Sequence, residues 1–268
     1  MKKLGLIAGD KNLPFEITKW AKNNNVELFV AGIKECVNPK LKTFINKANY
    51  IEPHLSQLSK VIKFFKKNNV DTITLAGGVN NSSIKITFDV IKLFTKLLFI
   101  KNKYDGILRL VIKEFEKNKI KVIGIDEILT QNVITKGIHT TTKPTKSELN
   151  QIKSNWQNAI NFASNDLGQS IIIFNDKVIA TESFKGTDDL IVRATKIKNG
   201  KKGGILLKVL KPHQERRADL PVIGEKTIQN LITGQFSGIA IDANNAIFED
   251  KNKVLSLANK NNIFIIAL

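Results

Sequence analysis

The chain has 268 residues, of which 42% are hydrophobic and 25% charged, a balance typical of a globular protein large enough for two domains. Lysine and arginine outnumber aspartate and glutamate by 42 to 24, so the formal net charge is +18. Because this excess is spread along the chain rather than gathered with aromatic residues, it disfavours specific nucleic-acid binding and favours an anionic membrane surface or a pyrophosphate-bearing substrate.

The cysteine and hydropathy patterns indicate a reducing compartment. Cys36 is the single cysteine, which excludes an intramolecular disulfide, and no CxxC or HExxH spacing offers a zinc site. The first apolar run stops at Asp10 and Lys11, well short of a signal peptide, and no later stretch reaches the roughly 18 to 20 residues needed to span a bilayer. We therefore expect a cytoplasmic protein that is soluble or bound to a membrane surface.

The first half of the chain alternates short apolar strands with amphipathic helices. The predicted strands cover residues 4–8, 26–31, 70–76 and 121–125, and the predicted helices begin near residues 14, 55 and 106. Short strands joined by helices pair in parallel and are buried on both faces of the sheet. The sequence therefore predicts an α/β fold that opens with a Rossmann-like domain, residues 1–133.

The second half begins after a polar segment rich in Thr and Lys, residues 134–146, which we interpret as a linker. A helix over residues 147–163 is followed by a predicted hairpin, in which two β-rich runs flank a tight turn at residues 175–177. The remaining predicted elements are strands at 204–210, 239–242 and 263–267 and helices at 226–232 and 251–259. This pattern predicts a second α/β domain, residues 147–268, that contains a β-hairpin.

Two glycine turns follow predicted strands of the first domain. The residues concerned are Gly9, Asn12, Leu13, Pro14, Gly77 and Gly78. A glycine turn between a strand and a helix directs backbone N–H groups and the positive end of the helix at one place, so we predict nucleotide contacts here. The full GxGxxG spacing is absent, and a plain turn explains the glycines equally well.

A basic segment, residues 207–224, has prolines at 212 and 221. Its charged members are Lys208, Lys211, Glu215, Arg216, Arg217 and Asp219. Cations offset the charge of a pyrophosphate, and a carboxylate holds a metal or orients water, so this segment is a candidate catalytic site. The spacing also fits a surface loop with solvated ion pairs.

An acidic cluster follows the predicted hairpin and runs from Glu182 through Thr187 and Asp188 to Arg193. Its carboxylates and hydroxyl would complete an oxygen-ligand site for Mg²⁺. A helix N-cap at Thr187 or Asp188 is the alternative. None of the three histidines has the spacing of a catalytic triad, and only His213, inside the basic segment, is a candidate contact.

Taken in order, these segments resemble the LpxI family, the UDP-2,3-diacylglucosamine pyrophosphatases, over nearly the whole chain. The matching fragments are Gly5-Leu6-Ile7-Ala8-Gly9, Leu13-Pro14, Ala76-Gly77, Phe115-Glu116, Asp166-Leu167-Gly168-Gln169 and Gly186-Thr187-Asp188 with Arg193. The most specific fragments are Lys211-Pro212, Gln214-Glu215, Arg217, Asp219-Leu220-Pro221, Ile223-Gly224 and Thr227-Ile228.

The resemblance implies hydrolysis of UDP-2,3-diacylglucosamine to UMP and 2,3-diacylglucosamine 1-phosphate during lipid A synthesis in Gram-negative bacteria. Asp219 would be the catalytic aspartate and, with Asp188, a ligand of Mg²⁺ or Mn²⁺. Substrate contacts are expected at the two glycine turns and at Thr187, Asp188, Lys211, Gln214 and Arg217. We expect peripheral contact with the cytoplasmic face of the inner membrane, and a homodimer is compatible with the sequence.

The first turn departs from the family pattern, because Asp10-Lys11-Asn12 stands where the family is richer in glycine. An acidic Asp10 facing a phosphate is unfavourable without a compensating cation. The second turn has Gly78 where the family has a polar residue, and a Gly-Asp-Asp segment of the family is reduced to Asp105. The alternative function is a nucleotide-sugar or dinucleotide binding protein without hydrolase activity, for which the glycine turns suffice.

Overall fold

The computed structural model describes residues 1–79, 103–165, 167–212 and 214–268. The chain divides into two compact units. The first comprises Met1–Thr130 and Glu215–Asp219, and the second comprises Gln131–Gln214 and Leu220–Leu268. The boundary between the units lies near residue 130, and one later segment, Glu215–Asp219, belongs to the first unit.

The first unit contains a five-stranded parallel sheet of order β3-β2-β1-β4-β5. Its strands are β1 (Lys3–Ala8), β2 (Glu27–Gly32), β3 (Tyr50–Ile51), β4 (Thr72–Ala76) and β5 (Lys121–Val122). Its α-helices are α1 (Leu13–Asn23), α2 (Leu58–Lys67), α3 (Lys103–Lys117) and α4 (Ile125–Ile128), and 3-10 helices cover Pro39–Phe44 and Lys47–Asn49. This order confirms the predicted Rossmann-like sheet.

The direction in which successive strands are added to the sheet reverses between β1 and β4. The chain runs outward from β1 to β3, returns through α2 to the other side of β1, and then continues from β4 to β5. The carboxyl ends of the neighbouring strands β1 and β4 are paired at Ala8 and Ala76. Both predicted glycine turns therefore lie at the position where open α/β sheets bind their ligands.

The second unit contains a six-stranded mixed sheet of order β6-β13-β11-β9-β7-β8. Its strands are β6 (Gly137–Ile138), β7 (Ser170–Phe174), β8 (Lys177–Thr181), β9 (Ile205–Lys208), β11 (Gly238–Ile241) and β13 (Phe264–Ala267). β9, β11 and β13 are parallel, whereas β6, β7 and β8 run antiparallel to their neighbours. The strands β10 (Val222–Ile223) and β12 (Ile247–Phe248) form a small separate parallel sheet.

Helices cover both faces of this sheet. They are α5 (Lys146–Ser164), α6 (Gly186–Lys198), α7 (Glu225–Thr233) and α8 (Lys251–Lys260). Alternate strand residues face opposite sides, so Ile172 and Leu206 pack in the core beside α6, α7 and α8, while Ile171 and Leu207 pack against α5. This burial on two faces explains why the strands read as continuous apolar runs.

The predicted linker, residues 134–146, is wrong for most of its length. Ile134 is fully buried in the core of the second unit, and β6 pairs antiparallel with β13. Near the end of the segment, Thr145 caps α5 in a capping box with Glu148. The polar composition resembled a linker because its short strand supplies backbone hydrogen bonds and little apolar surface to the sheet.

Of the helices that the structure describes, none combines the length and the apolar content that crossing a bilayer requires.

Candidate functional site

The two glycine turns of the first unit contact each other directly. The Gly9 N–H donates to the Ala76 carbonyl at 2.8 Å, and the Asp10 N–H donates to the Gly78 carbonyl at 2.9 Å. A Cβ at Gly9 would lie 2.1 Å from the Gly78 oxygen, and a Cβ at Gly77, whose φ is +87°, would lie 2.2 Å from the Asp10 oxygen. The close approach of two backbone segments therefore accounts for these glycines.

Two of the residues that match the family follow the first turn. Leu13 and Pro14 are buried at the start of α1, where a proline needs no N–H partner. Asn12 is exposed at the N-cap and makes no side-chain cap, and the Asp10 carboxylate lies against Gly78. Nucleotide contact by the six residues of the two turns stays a prediction.

In the second unit a buried polar cluster lies at the edge of the sheet where β9 ends. Lys208 is the last residue of β9, and Glu182 follows β8; they are 4% and 8% exposed. The Lys208 ammonium donates to Thr187 Oγ1 at 2.8 Å, and the Thr187 hydroxyl donates to Glu182 Oε1 at 2.7 Å. Glu182 Oε2 accepts from the Gln169 N–H at 2.8 Å. Glu182, Thr187 and Lys208 thus form a continuous series of hydrogen bonds, the Glu182–Thr187–Lys208 chain.

The N-cap interpretation of Thr187 and Asp188 is wrong. Helix α6 begins at Gly186 and its N-cap is Lys185, which makes no side-chain cap, so both residues lie inside the first turn. Asp188 accepts a hydrogen bond from Asn230 Nδ2 at 3.1 Å and lies 3.3 Å from the Lys226 ammonium. Asp188 is therefore neutralised from a neighbouring helix, α7.

The basic segment forms a turn that begins at Lys211 and Gln214. The Gln214 side chain is 9% exposed and its Oε1 accepts from the Lys211 N–H at 3.3 Å, while the Gln214 N–H donates to the Lys211 carbonyl at 3.0 Å. Leu220 at the far end of the segment is buried. Buried residues therefore flank the charged residues 215–219 in the sequence on both sides.

Arginines anchor residues 215–219 to the first unit. Arg216 donates through Nε and Nη2 to Asp126 Oδ2 at 3.1 and 3.0 Å. Arg217 donates to both carboxylate oxygens of Glu215, at 2.9 and 3.1 Å, and through Nη1 to Glu116 Oε1 at 2.5 Å. The Glu215 side chain is 16% exposed and that of Asp126 17%, whereas that of Glu116 is 46% exposed. The pairs of Arg216 with Asp126 and of Arg217 with Glu215 are therefore partly buried, unlike the solvated ion pairs of a free surface loop.

The fork between Arg217 and Glu215 shifts both ionisation equilibria. The hydrogen bond from Arg217 lowers the pKa of Glu215 against the opposing effect of burial, and the same bond to Glu215 is the main cause that raises the pKa of Arg217. Both groups therefore stay charged near neutral pH. Asp219 ends this turn, and its N–H donates to the Glu215 carbonyl at 3.0 Å.

Some predicted residues lie outside what the structure describes, and some contacts were not predicted. His213 and Asp166 are outside the described residues, as is the side chain of Asp105.

Within the described part of the chain, no three His, Cys, Asp or Glu side chains come together in a way that would hold a metal ion. Glu182 and Lys208 were each singled out in the sequence, in the acidic cluster and in the basic segment, but their connection through the Thr187 hydroxyl was not predicted.

A doubly wound parallel unit, followed by an α/β unit with polar side chains at the carboxyl end of a parallel strand, defines a two-domain α/β protein of the kind that binds ligands at its strand ends. Comparison with known proteins identifies the family. The LpxI N-terminal domain matches residues 3–132 and the LpxI C-terminal domain matches residues 135–266. The chain belongs to the LpxI family.

A curated relative agrees with this assignment. It is the UDP-2,3-diacylglucosamine pyrophosphatase LpxI of Caulobacter vibrioides, which is 26% identical over 278 residues. The alignment covers 100% of this chain and 98% of the relative. The similarity therefore includes both units and the basic segment between residues 207 and 224.

Proposed function

We propose that this chain hydrolyses the pyrophosphate bond of UDP-2,3-diacylglucosamine in lipid A biosynthesis. Water would add to the α-phosphorus and the bond to the bridging oxygen would break, giving UMP and 2,3-diacylglucosamine 1-phosphate. The observation that carries this proposal is the end-to-end family match, which is supported by the name of the Caulobacter relative.

Asp219 is our candidate for the catalytic residue. It lies at the end of a turn that is held by Arg216 and Arg217, and Leu220 immediately after it is buried. A carboxylate on such a constrained turn loses little further freedom when substrate binds, which favours catalysis. The proposed role of Asp219 is to hold the divalent metal against the pyrophosphate.

A bound Mg²⁺ or Mn²⁺ would supply charge neutralisation at the pyrophosphate. The described residues contain no cluster of three or more candidate protein ligands, so the proposed ion would be held by one or two carboxylates together with substrate phosphates. Asp219 and Asp188 are the two candidate ligands. Asp188 already accepts from Asn230 and pairs with Lys226, so its contact with a metal would compete with both.

The basic residues have different expected roles. Lys211 and Gln214 would contact substrate from the turn that precedes Glu215. Arg217 is held by the carboxylates of Glu215 and Glu116, so a phosphate contact by Arg217 would require it to exchange one of these partners. We propose that the first effect of Arg217 is to fix the turn that presents Asp219.

The test is release of UMP from UDP-2,3-diacylglucosamine by purified protein, with Mg²⁺ and with a chelator. We expect chelation to abolish turnover and Asp219→Ala to lower the rate by at least about a hundredfold, since each removes charge stabilisation from the reaction. The matched control is Asp71→Ala, an exposed carboxylate of the first unit. Full turnover by Asp219→Ala would refute the assignment of Asp219.

The alternative, a nucleotide-sugar or dinucleotide binding protein without hydrolase activity, gives a different outcome in the same assay. Such a protein would bind the nucleotide and release no UMP under any metal condition. The family match favours hydrolysis over this alternative.

We also propose peripheral contact with an anionic membrane, where a diacylated substrate would be found. Two apolar side chains are exposed where β7 begins and β8 ends: Phe184 is 95% exposed and Leu167 is 67% exposed. They belong to adjacent segments, because Gly168 lies against the Glu182 side chain. The exposed Lys185 beside Phe184 and the net charge of +18 are complementary to anionic lipids.

A further inference from the structure

The Glu182–Thr187–Lys208 chain crosses one edge of the second sheet. β7 lies between β8 and β9, Ser170 at its start pairs with Lys208, and the Glu182 N–H donates to the Ser170 carbonyl at 2.9 Å. Glu182, Ser170 and Lys208 therefore occupy one row across three strands, and all three are buried. Thr187 reaches this row from the first turn of α6.

The number of protons on each group determines the direction of the two hydrogen bonds that link Glu182, Thr187 and Lys208. An ionised carboxylate only accepts and an ammonium only donates. The single proton of the Thr187 hydroxyl must therefore point to Glu182, and an oxygen lone pair must point to Lys208. The Thr187 hydroxyl is thus held in one orientation and has no proton left to donate to a phosphate.

Two opposite charges are kept in the interior at the cost of their hydration. Burial of an ion pair is weak evidence for stability, because apolar residues of similar volume stabilise a core as well or better. The surrounding strands of this unit carry Ile and Leu, so apolar side chains would also fit in this part of the core. The position of the cation, at the end of β9 and within the basic segment, points to a role in function instead.

We propose that Lys208 binds a phosphate oxygen of the pyrophosphate substrate and that Glu182 and Thr187 are positioning residues for its ammonium. Thr187 would fix the ammonium directly, and Glu182 would fix the hydroxyl of Thr187. This inference rests on the proposed pyrophosphatase function. It changes the expected role of Thr187 from a substrate donor to a support for Lys208.

The experiment measures kcat and KM for UMP release at saturating Mg²⁺, per folded molecule, with the folded fraction taken from thermal unfolding. Thr187→Val removes the hydrogen bonds of the hydroxyl to Glu182, Lys208 and Ser170 at nearly constant volume and should lower kcat by about tenfold to a hundredfold, and Lys208→Met should lower it at least as much. Glu182→Gln should lower kcat by about tenfold, because an amide can turn its NH₂ group towards Thr187 and reverse the hydroxyl. Thr187→Ser keeps the hydroxyl and should stay within about threefold of the unsubstituted protein.

Two comparisons separate positioning from a structural role. Thr195→Val, on the same helix, removes a hydroxyl that donates only to the Ile191 carbonyl, and it should leave kcat unchanged. The double variant Thr187→Val with Lys208→Met should lose no more than Lys208→Met alone, since Thr187 acts through Lys208.

The outcomes also separate this inference from the proposed function. If Asp219→Ala is inactive while Thr187→Val and Lys208→Met retain full kcat per folded molecule, the inference is overturned and the pyrophosphatase function stands. Multiplicative losses in the double variant would likewise overturn it. If the unsubstituted protein releases no UMP, both proposals fail.

Discussion

At the scale of single residues, Lys198 is a cation inside the second unit. It is 2% exposed, and its ammonium donates to the carbonyls of Gly203, Gly234 and Gln235, the last two at 2.9 and 3.2 Å. It also lies 3.8 Å from the centroid of the Phe236 ring. The carbonyls and the ring stabilise the charge in part, but burial lowers the pKa of Lys198 to about 8.

This pKa predicts how stability depends on pH. Between about pH 8 and the ordinary lysine value, the unfolded chain binds a proton that the folded chain has released, so stability attributable to Lys198 rises with pH. Relative to Lys198→Met, the unsubstituted protein should gain about 2 kcal/mol between about pH 7.5 and 9.5, measured by urea unfolding. Lys196→Met, an exposed lysine of the same helix, is the control. An equal pH trend in all three proteins would contradict the prediction.

At the scale of elements, the contact between the two glycine turns determines how β1 and β4 can end. Gly77 has a positive φ, and a side chain there would also collide with the backbone of the first turn at Asp10. The turns therefore tolerate no Cβ at this point, whatever ligand they bind. A structural requirement and a nucleotide contact are compatible at the same glycine.

A prediction at this scale separates the cost of backbone strain at Gly77 from the cost of the steric collision there. Gly200 also has a positive φ, +76°, but a Cβ there would meet nothing within 4 Å. We expect Gly200→Ala to cost about 1 kcal/mol of unfolding free energy, from backbone strain alone, and Gly77→Ala to cost about 1–3 kcal/mol more because of the collision. Chemical denaturation measures both. Equal costs would mean that the turns separate without penalty.

At the scale of the whole molecule, the chain is not divided at one point. Residues 215–219 lie within the sequence of the second unit but belong to the first, through ion pairs that join Arg216 to Asp126 and Arg217 to Glu116. The proposed catalytic Asp219 is the last residue of that segment. Lys208 and Thr187, by contrast, belong to the second unit.

The net charge gives a prediction at the same scale. The protein should co-sediment with vesicles that contain anionic lipid, and binding should weaken as salt is raised, because each exposed lysine contributes a screened attraction. Phe184→Ser should reduce binding, whereas Phe44→Ser, an exposed phenylalanine of the first unit, should not. Absence of binding at physiological salt would refute membrane contact.

The sequence by itself determined the α/β class, the parallel first sheet and the longer elements. Apolar runs such as residues 4–8 and 70–76 are buried on both faces, so these strands can be recognised from a short stretch of consecutive apolar residues. The family and the candidate Asp219 also came from sequence order. The two-residue strands β3, β6, β10 and β12 did not, because they carry too little apolar surface to make a pattern.

Only the tertiary structure decided which polar groups meet. Arg216 reaches Asp126 over 90 residues of chain, and Lys208 reaches Thr187 across 21. Such pairs depend on the order of strands in the sheet and on the first turn of a helix, and neither leaves a periodic trace in the sequence. The sequence therefore identified the charged residues, while the fold decided which charges are paired and which hydroxyl has a fixed direction.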